Sequence, residues 1–491
     1  MMRHVYFLGI GGIGMSALAR WFKAQGAEVA GYDRQPSTLT RALVEEGITV
    51  DHTGSPEHLP GSLRQETESS KPDHWTIVWT PAIPADFPLL NAFREAGFTL
   101  HKRAEILGNI TRNKPLLAVA GTHGKTTTST LLAHLLQYAG LPVDAFLGGI
   151  AQGTGTNLLL ADRNSKDPWI VVEADEYDQS FLTLSPKYAV ITSVDPDHLD
   201  IYGDHANMLE AFVRFIGQVE PRGVLLHSEA AEILESASPS VAMDGLNLYG
   251  ELKDNVPLEE TGWRAAYSHV GHEAGQARFL LHFEDRMPEV VHWRLPGAHN
   301  AANATAAAYM AIRAGMDPNR IPEALQAFPG VARRFEVRHR QDDLVIVDDY
   351  AHHPSEIEGT IAAARQAFPG RRITGVFQPH LFSRTQDFMT EFAASLSALD
   401  DCILLPIYPA REEPIPGVDA QGIGDKMVGC RVEIPSESRF LDVLEKLAPE
   451  VVLFMGAGDL HQWIEPAWAR LHPEKKQDEE AHTTPLNGPE P

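Results

Sequence analysis

An apolar run, a glycine loop and a helical pattern follow one another without interruption, and this succession constrains the chain more than any other feature. Leu116-Leu-Ala-Val-Ala120 reads as a buried strand, Gly121-Thr-His-Gly-Lys-Thr126 as a tight loop, and Thr127 to Tyr138 as a helix. Such a turn belongs in a parallel α/β sheet and is built to cradle phosphate. Glycines let backbone N–H groups approach phosphate oxygens, and the helix N-terminus adds partial positive charge. Lys125 is placed to reach the outer phosphates of a nucleoside triphosphate, and the Thr126 hydroxyl to bind Mg²⁺. Gly121, Thr122, His123, Gly124 and Thr127 complete the candidate ATP loop. The usual pattern carries a glycine where this chain has Val119, so the spacing is irregular. The plain alternative is a strand-to-helix turn with a surface lysine.

The chain has 491 residues, too many for one ordinary core, and roughly two to four domains are expected. Three blocks are legible. Residues 1–108 alternate short strands, such as Val5–Leu8, Glu28–Asp33 and Thr76–Thr80, with helical patterns, the order of a parallel sheet. Residues 109–294 hold the loop, with further strands at Trp169–Glu173 and Tyr188–Thr192 and shorter, polar-interrupted strands from 225 onward. A Pro-Gly pair at Leu295-Pro-Gly-Ala-His-Asn300 opens a third block, 295–472, with an alanine-rich helix from Ala301 to Ala314. Strands follow at Leu344–Asp348, Ile373–Phe377, Cys402–Pro406 and Val451–Met455. The charged, then Pro/Thr/Asn-rich tail 473–491 is expected to be disordered.

Lys and Arg number 41 against 66 Asp and Glu, a formal net charge of −25. That surface repels phosphate backbones, which argues against nucleic acid as a partner. No apolar run is long enough to span a membrane, and two cysteines, Cys402 and Cys430, do not make a disulfide framework. A reducing, cytoplasmic setting is the expectation.

The triphosphate loop needs a carboxylate to hold its metal. Glu173 ends a strand before Ala-Asp-Glu-Tyr-Asp178, and Ser193-Val-Asp-Pro-Asp-His-Leu-Asp200 follows the next strand. Glu173 and His198 are therefore candidate metal ligands with Thr126. A lone histidine is more often an ordinary surface or core residue. In the first block, Gly9-Ile-Gly-Gly-Ile-Gly14 follows a strand, Met15-Ser16 opens a helix, and Asp33 ends the next strand. This is a dinucleotide-type layout, which fits NAD or, equally, the diphosphate and ribose of a UDP-sugar. In the third block, Asp348-Asp-Tyr-Ala-His-His-Pro354 and Phe377-Gln-Pro-His-Leu-Phe-Ser-Arg-Thr385 put carboxylates, imidazoles and Arg384 at strand ends. An arginine there can pair a substrate carboxylate in bidentate fashion. His352 and His353 alone cannot complete a zinc site.

These motifs occur in order with His299-Asn-Ala-Ala-Asn303, Arg333-Arg-Phe335, Tyr408-Pro-Ala410 and Met455-Gly-Ala-Gly-Asp459. Together, over about residues 3 to 470, they resemble the Mur ligases, in particular the alanine-adding branch. The resemblance implies a Rossmann-like UDP-binding domain, a central P-loop-type ATPase domain and a Rossmann-like C-terminal domain that takes the amino acid. It implies ATP, UDP-N-acetylmuramate and L-alanine as substrates, Mg²⁺ as cofactor, and a monomer or homodimer. Lys125, Thr126, Asn303, Arg334 and Asp349 would meet ATP. Gly9, Gly11, Gly12, Ile13, Gly14, Met15, Ser16, Asp33 and His123 would meet the UDP-sugar. Lys125, His198, Arg384 and His352 would serve catalysis, with Tyr350, His353 and His380 near the substrate carboxylate and alanine.

Two departures stand out. Many relatives read His-Arg before an aromatic residue, whereas this chain has His380-Leu381-Phe382. Several related ligases use a carbamylated lysine after the metal histidine, but no lysine lies between Ile201 and Gly223. Sites on three domains imply that domain closure assembles the active site. The competing expectations are a ligase that recycles a murein peptide, an NAD-dependent oxidoreductase, and a non-catalytic nucleotide-binding module.

Overall fold

The computed structural model describes residues 2–472, apart from 163, 238–244, 254–255, 274–275 and 411. The tail expected to be disordered, 473–491, lies outside the described residues. Three sheets organise the chain. The N-terminal sheet has five parallel strands in the order Thr49–Asp51, Glu28–Tyr32, His4–Leu8, Trp75–Trp79, Leu100–Lys102. Helix Ile13–Ala24 leaves the middle strand through the first glycine turn and buries Ala17, Leu18, Trp21 and Phe22.

The central sheet has ten strands. Leu116–Ala120 lies between Tyr188–Ile191 and Trp169–Glu173, all three parallel. Beyond Trp169–Glu173 come Val143–Ala151 and then antiparallel Thr156–Leu159. On the other side, Val224–His227 and Asn247–Glu251 extend the parallel part, and Ala265–Glu273, Gln276–Phe283 and Glu289–Trp293 finish it. The last three strands form antiparallel hairpins, and Gln276–Phe283 alternates buried and less buried positions as a strand covered on one face does. The region after 225 thus continues the sheet, with helices Ser228–Ala237 and Leu258–Thr261 that its sequence pattern did not reveal.

Leu116–Ala120 is buried along its whole length, which explains its unbroken apolar run. The helix after it starts at Lys125, two residues before the pattern predicted, and ends at Tyr138. Gly124 at φ +80° takes the left-handed cap position, which a glycine adopts without strain, so Lys125 and Thr126 are already helical.

The chain divides into two compact units, Met1–Ala332 and Arg333 onward. The third block expected to open at Leu295 therefore begins later. Helix Ala298–Arg313 packs on helix Lys125–Tyr138 and on strand Ala265–Glu273. Its alanines 304, 306, 307 and 308 are fully buried, and their small side chains permit this close approach. Pro-Gly here marks a helix start within the first unit: Gly297, at φ +97°, is the residue before that helix.

The second unit carries six strands: Glu336–Arg340 antiparallel to Val345–Asp349, then Val451–Met455, Ile373–Phe377, Asp401–Leu404 and Arg431–Glu433 in parallel. Among the described residues no helix is long and apolar enough to cross a membrane.

Candidate functional site

In a parallel sheet, ligands bind in the crevice outside the C-terminal strand ends. Three neighbouring central strands deliver the predicted groups to one such edge. Leu116–Ala120 delivers the Gly121 loop, Trp169–Glu173 delivers Glu173, and Tyr188–Ile191 leads to Thr192 through His198. The loop is stitched to the third strand end. Thr122 Oγ1 donates to Asp195 O at 2.8 Å, His123 N to Ser193 Oγ at 2.9 Å, and Thr192 Oγ1 to His123 O. His123 Nε2 stands 3.5 Å from Asp195 Oδ2.

Lys125 is the most heavily engaged side chain. Its Nζ donates to Gly121 O at 2.6 Å, Thr122 O at 3.2 Å and Glu176 Oε1 at 2.8 Å. Burial opposes its charge, but Glu176, Asp175 and Glu173 outweigh burial and hold the amine's pKa above its ordinary value. Glu176 is fully buried, and burial pushes its carboxyl up to about 7 against the pull of Lys125. Its Oε2 has no hydrogen-bond partner among the described residues. Glu176 lies inside the Ala174-Asp-Glu-Tyr-Asp178 segment, to which the sequence pattern gives no role. A second acid three residues after a strand-end carboxylate was the available signal.

Thr126 Oγ1 donates to Glu173 Oε1 at 3.1 Å, and Gly148 N donates to Glu173 Oε2 at 3.0 Å. Oxygen donors of this kind suit a hard cation, so Thr126 and Glu173 fit Mg²⁺. His198 Nε2 lies 3.7 Å from both Glu176 Oε1 and Asp197 Oδ2. His198 is held at φ +54°, a costly conformation for a non-glycine residue that clusters at functional sites. Among the described residues no three His, Cys, Asp or Glu side chains converge as a complete cage. Thr127 is buried in the first turn of the helix. Asn303, buried, accepts from Thr128 Oγ1 at 3.1 Å, and a Cβ on Gly124 would run into its Oδ1. Asn303 therefore braces the loop from behind.

The first glycine turn is the second strand–glycine–helix junction that the sequence pattern marks. Gly9 N and Ile10 N donate to Tyr32 O, and Gly11 N donates to Asp33 Oδ2 at 2.8 Å. Asp33 thus commits one oxygen to the turn itself. Gly12 caps helix Ile13–Ala24, and Met15 and Ser16 are buried in its first turn. A cation that the sequence pattern does not mark stands here: the Arg103 guanidinium fills the space a Gly14 Cβ would need, and it pairs with Asp175 Oδ2 at 3.3 Å.

In the second unit, strand ends again gather the predicted groups. Asp349 is buried and accepts from Phe335 N and Ala351 N, both at 2.8 Å. Burial raises its pKa to about 6 against the opposing charge of Arg334. The Tyr350 ring is flanked by the guanidinium carbons of Arg333 and Arg334 at 4.8 and 5.3 Å, and Arg334 NH1 is 3.6 Å from Glu356 Oε1. His352 Nδ1 bonds Tyr350 O at 2.9 Å and lies 3.1 Å from Glu356 Oε2. His380 stacks on Tyr408, and its ring centre is 6.4 Å from that of His352. His353 bonds Ser355 Oγ and packs edge-on against Phe388. Arg384 is buried in helix Phe382–Asp387. Leu381 caps that helix at φ +70°.

The comparisons agree with this layout. Three family models match in succession: "Mur ligase family, catalytic domain" over residues 4–115, "Mur ligase middle domain" over 119–311 and "Mur ligase, glutamate ligase domain" over 333–458. A UDP-N-acetylmuramate–L-alanine ligase of Cytophaga hutchinsonii is 42% identical over 94% of this chain and 95% of its own length. The crystal structure of a UDP-N-acetylmuramate-alanine ligase from Thermotoga maritima matches with a TM-score of 0.77 at 25% identity, covering 96% of this chain and 100% of that one. A murein peptide ligase of Psychrobacter arcticus shares the fold, with a TM-score of 0.67 at 22% identity over 95% of this chain and 98% of its own. Three successive family matches, and a relative 42% identical over 94% of this chain, show that the chain belongs to the Mur ligase family.

Proposed function

We propose that this chain joins L-alanine to the lactyl carboxylate of UDP-N-acetylmuramate, consuming ATP and releasing ADP and phosphate, in the cytoplasm and in the service of peptidoglycan synthesis. It does so as a monomer or homodimer, without nucleic acid or membrane as a partner. The observation that carries this reading is the buried Lys125–Glu176 pair beside Thr126 and Glu173. A lysine amine has three protons, and here all three are engaged by loop carbonyls and a carboxylate. Phosphate oxygens are the natural replacement acceptors.

A carboxylate is a poor acylating agent, and phosphorylation gives it a leaving group. The lactyl carboxylate attacks the γ-phosphorus of ATP and ADP leaves. The alanine amine then attacks the acyl phosphate and inorganic phosphate leaves. Lys125 neutralises the charge that builds on the transferred phosphoryl group. A magnesium ion would supply further neutralisation, held by Thr126, Glu173 and His198. His123 and the first glycine turn, with Asp33, bind the UDP-sugar. Asn303 meets adenine, and Arg334 and Asp349 the rest of the nucleotide. Arg384, His352, Tyr350, His353 and His380 handle the substrate carboxylate and the amino acid.

Phosphate release with ATP, Mg²⁺ and UDP-N-acetylmuramate, measured across a panel of amino acids and murein peptides, tests this reading. Release that depends on L-alanine is expected. Release with a murein peptide in its place would assign the chain to peptide recycling, and no acceptor-dependent release would refute the ligase reading.

A further inference from the structure

Among the contacts that join the N-terminal sheet to the central one is a buried amide. Asn157, in strand Thr156–Leu159, is fully buried. Its Nδ2 donates to Ile13 O and, at 3.0 Å, to Ser16 Oγ, while its Oδ1 accepts from Arg20 NH1 at 2.5 Å. Arg20 is fixed in turn by Glu46, whose carboxylate accepts from Nε and NH2 at 2.7 to 2.9 Å. Both amide protons and the amide oxygen are thus committed, and two of the three contacts fall on the first turn of helix Ile13–Ala24. That turn is the diphosphate seat.

The other strand of the same hairpin, Val143–Ala151, touches the ATP side. Gly148 N holds Glu173 Oε2, and a Cβ on Gly149 would lie 2.8 Å from Thr126 Cγ2. One hairpin therefore abuts the Thr126–Glu173 pair along one strand and grips the UDP-sugar helix from the other.

We propose that Asn157 is a positioning residue for the UDP-sugar: it sets where the diphosphate seat stands relative to the Thr126–Glu173 pair. The inference rests on the ligase reading above. Transfer chemistry is sensitive to ångström-scale displacement of one reactant, so a fastening of this kind acts on binding and turnover together. Asn157→Ala removes all three contacts. Asn157→Asp keeps an acceptor for Arg20 but cannot donate to Ile13 O or Ser16, and it preserves volume should the alanine variant fold poorly.

Calorimetry with UDP-N-acetylmuramate and, separately, with Mg-ADP provides the test, alongside thermal melts and steady-state kinetics. Both variants are expected to weaken UDP-N-acetylmuramate binding at least fivefold, to leave ADP binding within twofold of wild type, and to lower kcat at saturating substrates. In a double-mutant cycle with Ser16→Ala, the combined loss in UDP-sugar affinity should be smaller than the product of the single losses. A lowered Tm with unchanged UDP-sugar affinity, or equal weakening of both ligands, would overturn the proposal and leave Asn157 a structural residue. If the wild-type protein binds no UDP-N-acetylmuramate, the ligase reading fails first and this inference with it.

Discussion

Two turns in this protein share one grammar, strand then glycines then helix, and differ in how they meet negative charge. The first turn, Gly9 to Gly14, has no lysine or arginine of its own. Its amides at Gly9, Ile10 and Gly11 are tied to Tyr32 O and the Asp33 carboxylate, and its helix opens with an uncharged isoleucine. Its cation, Arg103, comes from a separate helix, Arg103–Thr111. The second turn, Gly121 to Gly124, carries its own cation at the first helical position and buries it against Glu176. Under the proposed function the difference matches two tasks. A diphosphate that is only held needs dipoles and shape. A phosphoryl group that is transferred gathers charge in the transition state, and a preorganised cation is most effective there.

The comparison can be broken at its strongest point. Lys125→Ala should reduce alanine-dependent phosphate release by on the order of a hundredfold or more, the cost of losing a key charge stabiliser. Near wild-type release would mean that the second turn, like the first, works through backbone alone.

Paired glycine substitutions come next. A Cβ on Gly124 would strike Asn303 Oδ1 at a φ of +80°, and a Cβ on Gly11 would lie 2.7 Å from Asp33 Oδ2. Gly124→Ala should weaken ADP binding by roughly tenfold and spare the UDP-sugar, while Gly11→Ala does the reverse; strain of this kind is worth on the order of 1–3 kcal/mol. Calorimetry with both ligands decides, and loss of both affinities in either variant would show that the turns are not independent.

A pH profile sharpens the contrast. The Glu176 pKa is raised to about 7 in the folded protein, mainly by burial, from 4.5 in the reference state. Between those values the folded protein binds more protons than the unfolded chain, so this group's contribution makes stability fall as pH rises from about 4.5 to about 7. Denaturant titrations of the ligand-free protein should show Glu176→Gln gaining stability relative to wild type across that window. A flat difference would remove the buried carboxyl from the account.

The smallest effect is expected at the first turn. Asp33→Asn keeps an acceptor for Gly11 N but loses the charge assistance, worth about 0.5–1 kcal/mol, or roughly two- to fivefold in UDP-sugar affinity. A loss of a hundredfold would mean that the first turn depends on charge as much as the second.

Much of the candidate site is legible in the sequence. The glycine turns, Lys125, Thr126, Glu173 and His198 could be placed because strand–turn–helix signals are local, and because parallel strands send their C-terminal ends to one edge. The strand run at Leu116–Ala120 is as buried as its composition required. The Pro-Gly at 296–297 misled about where the third block begins, because local punctuation marks a helix start equally well inside a compact unit. The helices after Val224–His227 were missed because their apolar patterns are short.

The sequence by itself therefore determined the parallel α/β class and the two strand–glycine–helix turns, since each is written within a few consecutive positions. Only the tertiary structure decided the partners. Lys125 finds Glu176 across 51 positions, Asn157 reaches Ile13 across 144, and Asn303 braces Thr128 across 175. Such pairings depend on how distant helices and sheets pack, and no local spacing encodes which buried amide or carboxylate will meet which loop.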